Sequence, residues 1–265
     1  MDTSSKISVQ NLTNVPETML VPLYFKAKET KENGIIKDDK AVEIVSRIDY
    51  DFSRMAKDWK TQTGMAVRTH LFDNILKTLS EETAGKLVVV NLGAGLDTRQ
   101  ERFPGIKFYQ LDLLQSIAIR KQFFDTRNAV LIPKSILDFS WMDDVGEKEH
   151  VLFIAEGLFM YFNAEEVRSV LTQISAHFTK SFLVFNSIHK SMMGRQHTSV
   201  DTSKAPFKWG IQSLREVDDW HTGWKQYQTF FPPDYFKKRW GWMRWLGLIP
   251  TFRAGFVIAV LETEK

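Results

Sequence analysis

The 265-residue chain contains no cysteine. That absence removes disulfide frameworks, thiol nucleophiles and thiolate metal sites together, and a cytoplasmic setting is expected. There is no run of the ~18 uninterrupted apolar residues that a membrane span requires. Met1 to Asn14 lacks the basic-then-apolar layout of a secretory leader. No basic block interleaved with aromatics stands out and the formal charge is only +3, so nucleic acid is a poor choice of partner. Internal repeats and low-complexity tracts are also missing, and no metal ligand set is assigned.

What remains is the composition of a globular protein. Hydrophobic residues make up 43% and charged residues 25%, close to the averages for folded domains. The length suits one large domain, residues 1–265, rather than two average ones. Eight tryptophans occur, several of them in Trp240-Gly-Trp-Met-Arg-Trp245. That string reads as an amphipathic core helix in preference to a membrane-surface belt.

The central stretch is Leu87-Val-Val-Val-Asn-Leu-Gly-Ala-Gly-Leu-Asp-Thr98. An apolar run followed at once by two glycines reads as a buried parallel strand feeding a tight turn. Lys107 to Asp112 reads as a second strand ending in a carboxylate, 19 positions beyond Gly93. That is near the ~20-residue spacing at which nucleotide-binding α/β folds place a ribose acceptor. A dinucleotide fold wants a third glycine where this chain has Thr98, and Asp97 beside it repels phosphate. A cationic, phosphate-free nucleoside such as S-adenosylmethionine suits the turn better.

Elsewhere, Asp38 or Asp39 is placed to cap a helix from Lys40 to Ile48, and a longer helix is expected from Gly64 to Leu79, carrying Arg68 and Asp73. Together these make the first 85 residues a helical cap. The core, residues 86–265, continues with a helix over Leu113–Phe124, a strand over Ala129–Pro133 and an extended segment ending at Asp138. A strand over Val151–Glu156, a helix capped by Asn163 and Glu166 and a strand over Ser181–Ile188 follow. The polar stretch Ser191–Lys208 lacks periodicity and reads as a loop or lid, part of an insertion near 190–225. Strands at Trp224–Phe230 and Phe256–Glu262, with an aromatic helix Asp234–Leu246 between them, complete the sheet as an antiparallel edge.

With these residues assembled, the chain resembles the leucine carboxyl methyltransferase family, and within it the tetracenomycin-type polyketide O-methyltransferases. The resemblance is carried by Pro22-Leu-Tyr, Lys26-Ala-Lys-Glu29, Asp38-Asp-Lys-Ala41, Arg68, Phe72-Asp73, Asn91-Leu-Gly-Ala-Gly-Leu-Asp-Thr-Arg99, Asp112, Asp138 and Glu156-Gly-Leu-Phe-Met-Tyr161. It implies an α/β fold: a Rossmann-like class I S-adenosylmethionine-dependent methyltransferase sheet of seven strands, the last pair antiparallel. By the same resemblance Arg68 pairs with the methionyl carboxylate of the cofactor, as a guanidinium fork can. Lys26, where the family commonly has arginine, is a second contact that keeps the charge and loses the fork. Gly93, with Ala94, Gly95 and Asp97, approaches the methionyl part, and Asp112 takes the ribose hydroxyls. Asp138 lies near the adenine amino group, Leu113 and Leu137 stand beside these acids, and Glu156 faces the cofactor cleft.

The expected partner is a small carboxylic acid, because no acid/base dyad is evident and a carboxylate needs no deprotonation before it accepts a methyl group. Tyr161 and His189 are the candidate catalytic residues. His189 as a base would instead support phenolic O-methylation. An NAD-dependent oxidoreductase and a silent S-adenosylmethionine-binding module are the readings from other classes.

Overall fold

Val88–Leu92 is buried at every residue, which a strand achieves only with neighbours on both sides and helices over both faces. It is β1, the centre of a seven-stranded sheet completed by β2 (Lys107–Asp112), β3 (Val130–Pro133), β4 (Val151–Ala155), β5 (Phe182–Ile188), β6 (Trp224–Phe230) and β7 (Phe256–Thr263). The strand order is β3-β2-β1-β4-β5-β7-β6. The first five strands are parallel; β7 lies antiparallel between β5 and β6. The expected sheet, with its last pair antiparallel, is what forms. The computed structural model describes residues 7–8, 17–193, 206–249, 253 and 255–263.

Side chains alternate across the strands with period two. Val89, Leu152, Ile154, Val184, Ile258 and Val260 pack on one face with Val67, Leu71, Ile75 and Leu79 of a long helix. Val88, Val90 and Leu92 turn to the other face, among Trp141, Phe178, Leu171 and Ile174. The long helix is α3, Trp59–Glu82, preceded by α1 (Leu20–Lys31) and α2 (Asp39–Arg47). It starts five residues earlier than the apolar stripe suggests because Asp58 caps it, accepting from Thr61 N at 3.0 Å. Asp38 caps α2 through Ala41 N at 2.9 Å. Of the first 85 residues, α1 and α2 pack together with Phe123 and Phe124, whereas α3 covers the sheet.

The remaining helices are α4 (Arg99–Arg102), α5 (Leu114–Arg120), α6 (Ala164–His177) and α7 (Arg215–Asp218). The expected capping box of Asn163 and Glu166 opens α6. Asp138 starts a 3₁₀ helix, Phe139–Asp144, rather than ending an extended segment. Residues 194–205, most of the expected Ser191–Lys208 loop, lie outside the described residues. After them Trp209, Ile211 and Val217 are buried in the main core.

The largest departure is the aromatic segment. Asp234–Leu246 is not an amphipathic core helix. It is a turn at Pro232–Asp234 followed by a 3₁₀ helix, Gly241–Leu248, in which no residue is buried. Phe236 and Gly241 both sit at positive φ, 49° and 52°, which interrupts any continuous α-helix across them.

Candidate active site

The strand order reverses at β1, whose neighbours β2 and β4 are reached by connections of opposite sense; the crevice at such a point is where open α/β sheets bind ligands. There the chain leaves β1 through Gly93 at φ +67° and Gly95 at φ +45°. Gly93 N and Ala94 N both donate to Leu111 O, at 2.9 and 3.0 Å, folding the turn over the end of β2. A Cβ on Gly93 would lie 2.7 Å from Leu158 Cδ1, so glycine is required for packing as well as for φ. Gly95 N donates to Asp112 Oδ2 at 2.7 Å and Leu113 N to Oδ1 at 2.7 Å, fixing the carboxylate beside the turn. Burial pushes Asp112 up from the usual carboxylate range; the two N–H donors oppose it. Leu113 is half exposed next to it.

Behind the turn lies a buried charge network. Arg99, 2% exposed, donates to three carboxylates: Nε to Asp73 Oδ1 at 2.8 Å, Nη1 to Asp97 Oδ2 at 2.7 Å and Nη2 to Glu156 Oε2 at 2.6 Å. Arg68 Nε holds the other oxygen of Glu156 at 2.7 Å. Arg102 joins Asp38 and Asp73. Lys26 Nζ donates to Thr98 Oγ1 at 3.1 Å and lies 3.6 Å from Asp97 and 3.8 Å from Asp38. Thr98 Oγ1 donates in turn to Asp38. Four cations thus neutralise four carboxylates, the arrangement that makes burial of so much charge tolerable.

The titration behaviour follows. Burial pushes Glu156 up, but Arg99 and Arg68 outweigh it and hold the carboxyl at about 2. Asp97 is also pushed up by burial and is brought well below the usual range by Arg99 and Lys26. Tyr161 is raised by burial, with Arg68 and a hydrogen bond from Thr18 opposing. It keeps its proton at neutral pH.

Lys26, Arg68, Gly93, Ala94, Gly95, Asp97, Asp112, Leu113 and Glu156 therefore meet at the ends of β1, β2 and β4, and Arg68 lies close enough to Tyr161 to act on its titration. Asp138 stands apart, exposed, its Oδ1 accepting from Ser140 N and Oγ; Leu137 beside it is partly buried. His189 follows β5 and lies outside the network. Its Nδ1 accepts from Ser191 N at 3.2 Å, capping the 3₁₀ turn Lys190–Met192. Arg99, Asp73, Arg102 and Asp38 were not among the predicted site residues, although each sits inside or beside a string that signalled the fold. Arg120 was missed too: buried, it donates to Gly95 O at 3.0 Å and Gln100 Oε1 at 2.6 Å.

A family model for leucine carboxyl methyltransferase matches residues 20–175, more than half of the chain. The chain belongs to the leucine carboxyl methyltransferase family. The matched span holds every predicted cofactor residue and Tyr161; His189 lies beyond it. Like its family, the chain is an S-adenosylmethionine-dependent methyltransferase, and S-adenosylmethionine is its cofactor.

This family member is 26% identical over 221 residues to the tetracenomycin polyketide synthesis O-methyltransferase TcmP of Streptomyces glaucescens, covering 78% of this chain and 79% of the relative. It is 29% identical over 189 residues to the S-adenosyl-L-methionine-dependent methyltransferase dpfgK of Gibberella zeae, covering 64% and 63%. A DUF574 family protein of Streptomyces avermitilis shares the fold, with TM-score 0.60 over 95% of this chain and 98% of its own at 11% identity.

The residues fit the cofactor. The tight turn through Gly93 and Gly95, the carboxylate of Asp112 and the half-exposed Leu113 suit a nucleoside with an attached amino acid. Among the described residues only Nε of Arg68 is hydrogen-bonded, so its two Nη groups remain for a carboxylate.

Proposed function

We propose that this methyltransferase acts on a carboxylate of a small polyketide-like or other organic acid, giving a methyl ester. The observation that carries the reading is that the acids of the cleft are already engaged. Glu156 and Asp97 are held ionised by guanidinium groups and are poor proton acceptors, and Tyr161 stays protonated. A phenol with pKa ~10 gains from a base, whereas a carboxylate near ~4 is ionised without one. An acceptor that needs only placing suits this cleft. The polyketide O-methyltransferase among the relatives supports the substrate class.

When bound, S-adenosylmethionine supplies a methyl group already activated on a sulfonium. Arg68 would take the methionyl carboxylate, with Lys26 adding positive charge from behind the turn, where it is bound to Thr98; Asp112 would accept from the ribose hydroxyls; Leu113, Leu137 and Asp138 would flank the adenine. Gly93, Ala94 and Gly95 let the backbone approach, while Asp97 and Glu156 lock the arginines. Tyr161 donates its hydroxyl hydrogen to orient the acceptor. Orientation of this kind can contribute ~7–11 kcal/mol to catalysis.

The test has two stages. Calorimetric titration with S-adenosylmethionine and S-adenosylhomocysteine should show binding that Asp112→Ala loses, with NAD as the negative control. A panel of aromatic carboxylic acids and matched phenols should then yield alkali-labile methyl esters from the acids. Alkali-stable methyl ethers from the phenols, lost in His189→Ala, would instead identify a base-assisted phenol methyltransferase.

A further inference from the structure

Five of the ten exposed large apolar side chains among the described residues gather in one place: Trp59, Trp242, Trp245, Leu248 and Ile249. The reason is helical geometry. In a 3₁₀ helix side chains three apart eclipse one another, so Trp242, Trp245 and Leu248 form one row along Gly241–Leu248, exposed by 60%, 62% and 76%. Trp59 adjoins the row, its ring 3.5 Å from where a Cβ on Gly241 would stand. Contiguous exposure of this kind on a folded protein marks an interaction surface.

Its charge says what kind. Residues 236–249 hold four basic side chains and no acidic one, a basic stretch interleaved with tryptophans that contradicts the expectation that none was present. Arg239 is engaged by Glu29 at 2.8 Å. Lys237, Lys238 and Arg244 are exposed and have no carboxylate partner among the described residues, nor has Lys60. Lys60 Nζ lies 5.4 Å from the Trp242 ring and the Arg244 guanidinium 4.9 Å from the Trp245 ring, so cation and indole are presented together. We infer that this tryptophan row and its cations form a docking surface for an anionic lipid bilayer.

Indoles favour the headgroup layer, aliphatic side chains such as Leu248 and Ile249 enter the acyl boundary, and nearby cations each add attraction to an anionic surface, about fivefold per residue. A second copy of the chain would bring the same positive charge against itself. No helix among the described residues is long and apolar enough to cross a membrane, so the contact is peripheral. The placement also serves the chemistry: α3 carries Trp59 and Lys60 at the patch and Arg68 at the cleft, ~12 Å further along its axis.

The test uses the full chain and sedimentation with vesicles of phosphatidylcholine alone or with a third of the lipid replaced by phosphatidylglycerol. Binding to the anionic vesicles should be at least about tenfold tighter and should fall at ~1 M salt. Brominated acyl chains should quench tryptophan fluorescence in the unmodified protein. The double variant Trp242→Ser/Trp245→Ser should lose both signals while binding S-adenosylhomocysteine unchanged, and Lys237→Glu/Lys238→Glu should lose the preference for anionic lipid. No partition into either vesicle overturns the inference, as does partition that the tryptophan variant retains. So does finding instead that the same tryptophans support self-association or single-stranded DNA binding without vesicle binding.

Discussion

Arg68 and Glu156 lie 88 residues apart in the chain and 2.7 Å apart in space. The pair joins α3 to the end of β4, and Arg99 closes the other side of the same carboxylate at 2.6 Å. Glu156 therefore aims one guanidinium at the cleft with the help of another.

Removing that guanidinium should weaken the cofactor more than the fold. Arg68→Ala deletes a charge-assisted contact of about 1.5–3 kcal/mol, so S-adenosylhomocysteine affinity should fall roughly tenfold to a hundredfold. Arg68→Lys should recover part of it, since the charge returns without the fork. Calorimetry on both variants measures this; wild-type affinity in Arg68→Ala would show that another residue holds the methionyl carboxylate.

Arg99 is the structural counterpart. Arg99→Met leaves Asp97, Asp73 and Glu156 short of a buried partner, and breaking buried pairs costs about 3–5 kcal/mol. Urea unfolding followed by circular dichroism should show a loss of that order. A change below about 1 kcal/mol would mean that water or Arg102 readily replaces the missing guanidinium.

The same network makes stability depend on acid. Glu156 is held at about 2 in the folded protein and Asp97 lower still, both below their unfolded values. The unfolded chain therefore binds more protons in this range, and stability rises with pH. The contribution is fully present above about pH 4.5 and is lost as pH falls toward 2, roughly 3 kcal/mol for Glu156. Asp112, raised by burial, opposes the trend: its contribution is lost as pH rises through its folded value. Urea titrations between pH 6 and about 3 should show a net fall on acidification, with a shallower slope in Glu156→Gln.

Gly93→Ala tests the turn. The new methyl group meets Leu158 Cδ1 and must adopt φ +67°, a conformation that costs a non-glycine residue of order 1–3 kcal/mol. Cofactor affinity and melting temperature should both fall. Adding Leu158→Ala should relieve the clash but not the strained φ, so rescue should be partial.

His189→Ala should leave most methyl transfer intact. Its ring nitrogen caps a 3₁₀ turn and takes no part in the charge network. Steady-state assays with a carboxylic acid acceptor check this, and loss of nearly all turnover at unchanged cofactor affinity would make it the base.

The sheet was legible in the chain because fully buried parallel strands must be written as apolar runs. Val88–Leu92 and Val151–Ala155 could be little else, and the glycines after β1 follow from a turn that needs positive φ. Helix starts were readable where a side chain caps its own backbone, as Asp38 and Asn163 do. Asp112 and Glu156 were legible as acids ending apolar strands. The aromatic segment was not: α and 3₁₀ readings of Trp240–Leu248 share the same residues, and only the tertiary position of Gly241 and the turn at Phe236 separates them.

By itself, then, the sequence determined the parallel core, the glycine turn and the acids at the strand ends, because burial and local backbone geometry restrict which residues can stand there. Only the tertiary structure decided which charges neutralise one another and which tryptophans face solvent. The contacts from Arg99 to Glu156, from Arg102 to Asp38 and from Arg239 to Glu29 join positions 57, 64 and 210 residues apart, and no local preference encodes a pairing at such separation. The packed sheet brings those ends together, and the cost of burying an unpaired charge selects the partners that remain.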